Sequence, residues 1–468
     1  MWYTRMMEEV QIILETEHMM EVLQSIINGF FQFKAYVMLP IIILILSLII
    51  GMKIGKALMS ALKLAAGFAG IFIAFDFFVQ TINPAVQSLV SVRGLDFPIL
   101  DVGWPPLAAI TWASPIAHIT IPMIIVINLV MLTLNLTKTI YIDIWNYWHF
   151  AMLGALVLST SESLVLGLIA TALIGIYTIK MSDWAGPVVH RETGISGLTI
   201  SPLSSVGLLP YADGIDWLLD KIPGVRKIKF NPHREKDSQM VLGDPMVIGI
   251  LVGVLLGWLA AYPFKEVLEL SVHIAAVMFI LPKCGGLIGE GMGEVSRTLR
   301  DSIEKRFPKK KGLQVALNAE ILMEHKSVLT TGIILMPISL LIALILPGNK
   351  TLPLGDLPAL ISQVGIIVLV CRGNVFRSVI AGIPLVIGYL LIATNLAPLI
   401  TSLAGKVGAP GPEGVLITAL TDGGNPIRYW GYMLFQGNIV ALLIIPIVLV
   451  LMLLSRHRYK VALAKEEA

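Results

Sequence analysis

Five short runs set polar groups inside otherwise apolar sequence: Asp101–Ser114 (DVGWPPLAAITWAS), Asp143–His149 (DIWNYWH), Asn318–His325 (NAEILMEH), Arg372–Arg377 (RGNVFR) and Thr421–Arg428 (TDGGNPIR). In the second run Asn146 and His149 stand three apart, which places them on one face of a helix with Trp145 beside them. Amide, imidazole and indole together suit a polyol, whose hydroxyls both donate and accept while its C–H faces prefer an aromatic wall. In the first run Thr111 and Trp112 bring hydroxyl and indole close to prolines that forbid a regular helix. Each residue taken singly has a blander role. Trp145 and Trp148 could belong to an interfacial belt, Asp143 could cap a helix, and His149 could be a satisfied structural histidine. Arg372 and Arg377 could be cytoplasmic anchors, and Asp422 with Gly423 and Gly424 an ordinary turn. The inference rests on the set, because polar groups at membrane depth are costly unless they face a cavity.

Other chemistries lack their signatures. There is no HExxH or paired-histidine metal helix, no GxxxxGK[ST] phosphate loop and no GxSxG elbow. No basic stripe with interleaved aromatics invites nucleic acid. The two cysteines, Cys284 and Cys371, stand beside apolar runs with no CxxC, so they read as buried, inert thiols. No cofactor is called for.

The elements that must hold these groups are membrane-spanning. Of 468 residues 56% are hydrophobic and 14% charged, where a soluble domain carries roughly a quarter charged; the mean hydropathy is +0.82. Apolar runs cover about 35–50, 64–79, 116–134, 150–179, 247–262, 268–281, 332–346, 361–370, 378–399 and 439–454. They predict an all-α polytopic membrane protein with roughly ten crossings. The run from Phe150 to Ile179 is one long bent helix or two. Several runs are shorter than a span and broken by glycine or proline, as in half-helices that line a cavity. Prolines crowd in both halves of the chain, at Pro84, Pro98, Pro105, Pro106, Pro115 and Pro122, then at Pro347, Pro353, Pro358, Pro410, Pro412 and Pro426. Interrupted segments in corresponding positions of two halves point to a transporter's binding site.

Basic loops at Lys221–Lys236 and Arg297–Lys311, with Arg456, Arg458 and Lys460, set these parts in the cytoplasm by the positive-inside rule. The same patches could steer a soluble partner. Five glutamates precede residue 22 against the single Arg5, the reverse of a cleavable signal. That segment is an interfacial amphipathic helix or a partly disordered extension.

With DVGWPP (101–106), TWAS (111–114), DIWNYWH (143–149), DW (183–184), KIPGVRKIKF (221–230), PGNKTLPLGDL (347–357) and RGNVFR (372–377) in this order, the chain resembles the galactitol-type enzyme IIC family of the bacterial phosphotransferase system. The resemblance covers about Ala35 to Arg458. It implies a membrane subunit of the inner membrane that binds galactitol or a similar polyol and carries it inward. A separate IIB protein, reloaded by IIA from phosphoenolpyruvate, would deliver phosphoryl from its cysteine; the chain would not be catalytic without IIB. Because phosphoryl transfer needs positioning more than covalent help, the site should hold one terminal hydroxyl near a base.

The family looks related to the ascorbate-type transporters, which implies a lipid-embedded homodimer of the elevator type, with inverted repeats and re-entrant hairpins. A V-shaped scaffold would take residues 30–83 and 243–283 and a moving core 84–210 and 313–440. An N-terminal segment (1–29), a cytoplasmic linker (211–242), an amphipathic connector (284–312) and a last helix with its tail (441–468) would complete the chain. By motif, Thr111, Trp112, Trp145, Asn146 and His149 would hold the polyol, with Asn318, Arg372 and Asn374 around it. His149 would be the base, and Arg372 would stabilise incoming phosphoryl. Asn318 falls where a carboxylate is usual, and Ser201–Ser205 where a histidine is expected. Two other readings compete: an ion-coupled secondary transporter of the same fold, with Asp76, Asp101 and Asp422 as coupling acids, and a membrane sensor that binds without flux.

Overall fold

The computed structural model describes residues 35–93, 97–112, 114–233, 245–306, 312–353, 355–406 and 416–466; the N-terminal segment 1–29 lies outside them. The molecule is mainly helical, as uncharged Leu, Ile, Val and Ala runs must be where lipid offers the backbone no partner. Helices α1 (Ala35–Ile49) and α2 (Ile54–Arg93) lead to strand β1 (Ile99–Asp101), short helix α3 (Trp104–Trp112) and α4 (Pro115–Thr133). Strand β2 (Thr139–Tyr141), a 3-10 turn at Ile144–Tyr147, α5 (Trp148–Ser161), α6 (Leu164–Thr193) and β3 (Leu198–Ile200) follow. Short helices α7 (Leu203–Val206), α8 (Leu209–Leu219) and α9 (Pro223–Lys227) precede α10 (Pro245–Leu259) and α11 (Phe264–Arg306).

The remainder repeats the pattern. It runs β4 (Gln314–Leu317), a 3-10 turn at Ala319–Glu324, α12 (Lys326–Ile345), β5 (Thr351–Leu352), then a 3-10 turn at Leu357–Ala359 with α13 (Leu360–Gln363) and α14 (Gly365–Val370). It closes with α15 (Val375–Lys406), β6 (Leu416–Thr418), α16 (Leu420–Gly423), α17 (Pro426–Phe435) and α18 (Ile439–Glu466). Among the described residues five helices are long and apolar enough to cross a bilayer, namely α4, α6, α12, α15 and α18. Leu443, Val450 and Leu453 on α18 stand exposed, as lipid-facing side chains do.

Local chemistry sets the breaks. The run from Phe150 to Ile179 is two helices: Glu162 adopts left-handed φ 56, and the Ser163 hydroxyl then caps α6 by accepting from Leu166 N at 3.3 Å. Gly194, at φ 71, ends α6 with its N–H on His190 O. Two helices pass through the expected scaffold limits: α2 continues past Pro84, and α11 runs unbroken through residues 283 and 284.

The all-α expectation missed six strands among the described residues. They form two parallel three-stranded sheets, ordered β5-β1-β6 and β2-β4-β3. Leu100 pairs with Leu352 and Ile417, and Val315 pairs with Ile140 and Leu198. The middle strand of each sheet therefore comes from the opposite half of the chain. Exchanging β1 with β4, β2 with β5 and β3 with β6 turns one sheet order into the other.

Close helix packing completes the frame. A Cβ on Gly154 of α5 would collide with Thr171 Oγ1 and Gly167 O of α6, the small-residue contact that lets membrane helices approach. Gly154→Val is therefore expected to destabilise by about 2 kcal/mol through overpacking, read as a lower melting temperature in detergent. Gly388→Ala, where a Cβ meets open space, should leave melting unchanged.

Candidate functional site

Each strand delivers its chain into a turn that starts a helix, and the polar residues sit in those turns. Beyond β1, β5 and β6, two carboxylates knot the turns together. Asp101 accepts from Gly103 N at 3.0 Å, Leu420 N at 3.1 Å and Asp356 N at 3.0 Å. Asp356 accepts from Trp104 N at 3.0 Å, Thr421 N at 2.8 Å, Thr421 Oγ1 at 2.5 Å and Asp422 N at 3.3 Å. Charge is tolerated there because every carboxylate oxygen meets backbone donors at helix starts.

The other sheet has its own knot. Asp143 accepts from Asn146 Nδ2 at 2.6 Å and from the Ser201 hydroxyl. The Tyr141 hydroxyl donates to Ser201 O, and the Tyr147 hydroxyl to Tyr141 O.

Between the two knots lies a narrow cleft to which all six strand-to-helix segments contribute. Trp104 comes from the turn after β1, and Asn146, Trp148 and His149 from that after β2. Ser204 and Ser205 follow β3, and Asn318 and Glu320 follow β4. Ser362 and Gln363 follow β5, and Asp422 follows β6. The cleft offers about 40 Å³, a few times the ~10–15 Å³ that one water requires.

A buried charge triad closes one end. Arg428 of α17, fully buried, donates through Nη2 to His149 Nδ1 at 2.9 Å and through Nη1 to Asp422 O. Its guanidinium lies 5.7 Å over the Trp148 ring. Asp422 Oδ1 is 3.2 Å from the same Nδ1 and 3.6 Å from Arg428 Nη2. An arginine cannot accept, so while it holds Nδ1 the imidazole proton sits on Nε2, 3.5 Å from Ser204 Oγ. His149 then donates to a ligand. To serve as a base it must turn an Nδ1 proton to Asp422 and release Arg428.

Trp148 supplies the aromatic wall, stacked on His149 at 4.1 Å and on Trp104 at 6.5 Å. Among the described residues four lining atoms lack a hydrogen-bond partner: Ser205 Oγ, Glu320 Oε2, Gln363 Oε1 and, beside Arg428, Asp422 Oδ1. Leaving buried acceptors unpaired is costly, and a ligand rich in hydroxyls would satisfy them.

Of the residues expected from sequence, Asn146, His149 and Asn318 line this cleft. Thr111 is buried with its hydroxyl on Leu107 O at 2.8 Å, so its own helix uses it. The side chains of Trp112 and Trp145 lie outside the described residues. Arg372 and Asn374 sit elsewhere, on the turn after α14. Asn231 Nδ2 donates to Arg372 O at 2.7 Å, and Asn374 Nδ2 to Ile228 O at 2.8 Å. Arg372 is exposed there at φ 57. Beside it the Cys371 thiol is free, pushed up to about 12 by burial and then by Asp216, which makes it unreactive.

Sequence reasoning passed over Trp148, Glu320 and Gln363. Trp148 follows a 3-10 turn, and its indole is stacked on His149. Glu320 was legible as an acid inside an apolar flank. Gln363 carried the same signal more weakly.

Comparison with known proteins gives consistent results. The family described as "PTS system sugar-specific permease component", EIIC-GAT, matches residues 29–414. The PTS system galactitol-specific EIIC component of Escherichia coli strain K12 is 33% identical over 393 residues, 84% of this chain and 87% of that protein; the protein of the same name from strain O157:H7 aligns equally. A "putative permease IIC component" of strain K12 is 31% identical over 388 residues, 83% of this chain and 89% of that protein.

Proposed function

The chain belongs to the EIIC-GAT family of sugar-specific permease components of the phosphotransferase system, and from that premise we propose that it carries galactitol or a similar polyol across the bacterial inner membrane for phosphorylation by a IIB partner. The observation that carries the reading of cargo is the unpartnered set of Ser205 Oγ, Glu320 Oε2 and Gln363 Oε1 in the cleft. Two of the three only accept, so they call for hydroxyl donors, and Trp148 offers the C–H faces a wall. A neutral polyol matches this lining. A sugar acid would bring its carboxylate against Glu320 and Asp422.

His149 donates from Nε2 to one hydroxyl, and Asn146 and Asn318 offer both donor and acceptor groups to others. Thr111, its hydroxyl held by Leu107 O, serves the helix that carries Trp104. Arg372 and Asn374, on the exposed turn, serve the cytoplasmic face, where the phosphorylated partner arrives. The basic segments and the C-terminal helix end face that same side.

The exchange of strands between the two sheets supports a duplicated, inverted core of about ten crossings. It carries re-entrant helices and moves against a scaffold that pairs the chain into a homodimer embedded in lipid. In that arrangement the core takes 84–210 and 313–440 and the scaffold 30–83 and 243–283.

The test uses right-side-out vesicles that carry the chain and enclose enzyme I, HPr, IIA, IIB and phosphoenolpyruvate, given radiolabelled galactitol outside. The label should be recovered as a phosphate ester. Label recovered unmodified, or accumulation abolished by a proton or sodium uncoupler, would sink the reading.

A further inference from the structure

One acid of the cleft is left over once the structure has used the others. Asp101 and Asp356 are saturated by backbone N–H groups. Asp143 is held by Asn146 and Ser201, and Asp422, though its Oδ1 meets no hydrogen-bond donor, lies 3.6 Å from the Arg428 guanidinium. Glu320 differs in having no cation beside it among the described residues. Its Oε2 is buried, lines the cleft and meets no hydrogen-bond donor.

Its position adds a second argument. The 3-10 turn at Ala319–Glu324 is a partition. Asn318, Glu320 and Met323 face the cleft, while Ile321, Leu322 and Glu324 face a second cavity of about 720 Å³. That cavity is lined by Lys56, Lys63 and Arg297, each paired with Glu290 or Glu294, and by Glu192 and Glu324. Glu320 thus stands one turn's thickness from a second chamber of mixed charge.

We infer that Glu320 is the catalytic base, accepting the proton of the polyol hydroxyl as that oxygen attacks phosphorus. The inference rests on the phosphotransfer reading above. In the ground state the hydroxyl donates to Oε2. The hydroxyl oxygen then forms the O–P bond, the P–S bond to the S-phosphocysteine of IIB breaks with its electron pair left on sulfur, and the proton passes to Oε2. Water removes it after the product leaves. A phosphate ester beside Glu320 and Asp422 meets like charge, which favours release. His149 remains the donor that orients the sugar, because Arg428 occupies its Nδ1.

The test compares wild type, Glu320→Gln, Glu320→Asp and His149→Ala, each as the full-length chain in vesicles. Two measurements are made: equilibrium binding of radiolabelled galactitol without phosphoenolpyruvate, and initial phosphorylation rate across pH with the complete phosphotransfer chain. Glutamine keeps the size and one acceptor, so E320Q should bind galactitol within about threefold of wild type. Loss of the base should cut its phosphorylation rate about 100-fold or more and remove the acidic limb of the pH profile. E320D should recover part of the rate, and H149A should weaken binding itself. E320Q phosphorylating within threefold of wild type would overturn the assignment. So would E320Q losing binding in step with rate, which would make the carboxylate a binding group only. Wild-type vesicles that bind galactitol yet never phosphorylate it would overturn the reading beneath, and the assignment with it.

Discussion

Asp356→Ala is expected to leave almost no folded protein in the membrane. The lost carboxylate accepts from Trp104 N, Thr421 N, Thr421 Oγ1 and Asp422 N, all within a region that excludes water. Each buried donor left without an acceptor costs about 1–3 kcal/mol. Four together reach the order of the whole stability of an ordinary domain, about 5–15 kcal/mol. The same change also unties α3 from α16, which Asp356 bridges. Asp356→Asn keeps one carbonyl oxygen and should fall between. The measurement is the fraction recovered as a monodisperse species in mild detergent, with its melting temperature. Normal yield and melting for the alanine variant would show the knot to be incidental.

Arg428→Met should abolish polyol phosphorylation and destabilise by about 3–5 kcal/mol, the usual result of stripping one partner from a buried ion pair. Without the guanidinium, the Asp422 carboxylate lies buried beside an imidazole that must now carry the compensating charge. The tautomer that points Nε2–H into the cleft is no longer fixed. Arg428→Lys should not rescue activity, because one ammonium cannot reach both Asp422 O and His149 Nδ1 as the planar fork does. The double variant Arg428→Met, Asp422→Asn should be more stable than the single one, since it removes the orphaned charge, yet remain inactive. Equal stability of single and double variants would argue that the pair is not coupled. Phosphorylation assays and detergent melting curves read both halves of this expectation.

Much of the helical frame was legible because apolar run length reports it directly. The run at 116–134 became α4 and that at 378–399 lies inside α15. The break within 150–179 was undecided because Glu162 is not a residue that announces a left-handed turn. The strands were invisible for a different reason. At two to four residues each they are too short for a period of two to register, and their pairing is fixed by contacts between positions as distant as Leu100 and Ile417.

The site divided along the same line. Asn146 and His149 could be found because polar groups in an apolar run need a cavity. The link from His149 to Arg428 spans 279 residues, so no local pattern could join them. Arg372 and Asn374 broke an apolar run just as visibly, but their break is an exposed turn against the 228–231 segment.

The placing of β1 between β5 and β6, and of β4 between β2 and β3, constrains biogenesis. As the chain leaves the ribosome, the first half emerges with two strands that flank an empty slot and a third whose neighbours do not yet exist. The sheet around β4 closes only once Leu317 has been made, and the sheet around β1 only with Thr418. The nascent N-terminal half must therefore wait, inserted but incomplete, with its acidic turns still shielded by water, translocon or chaperone. Commitment to the final topology is thereby postponed to the last fifty or so residues of synthesis, on the order of seconds at the elongation rates of cells.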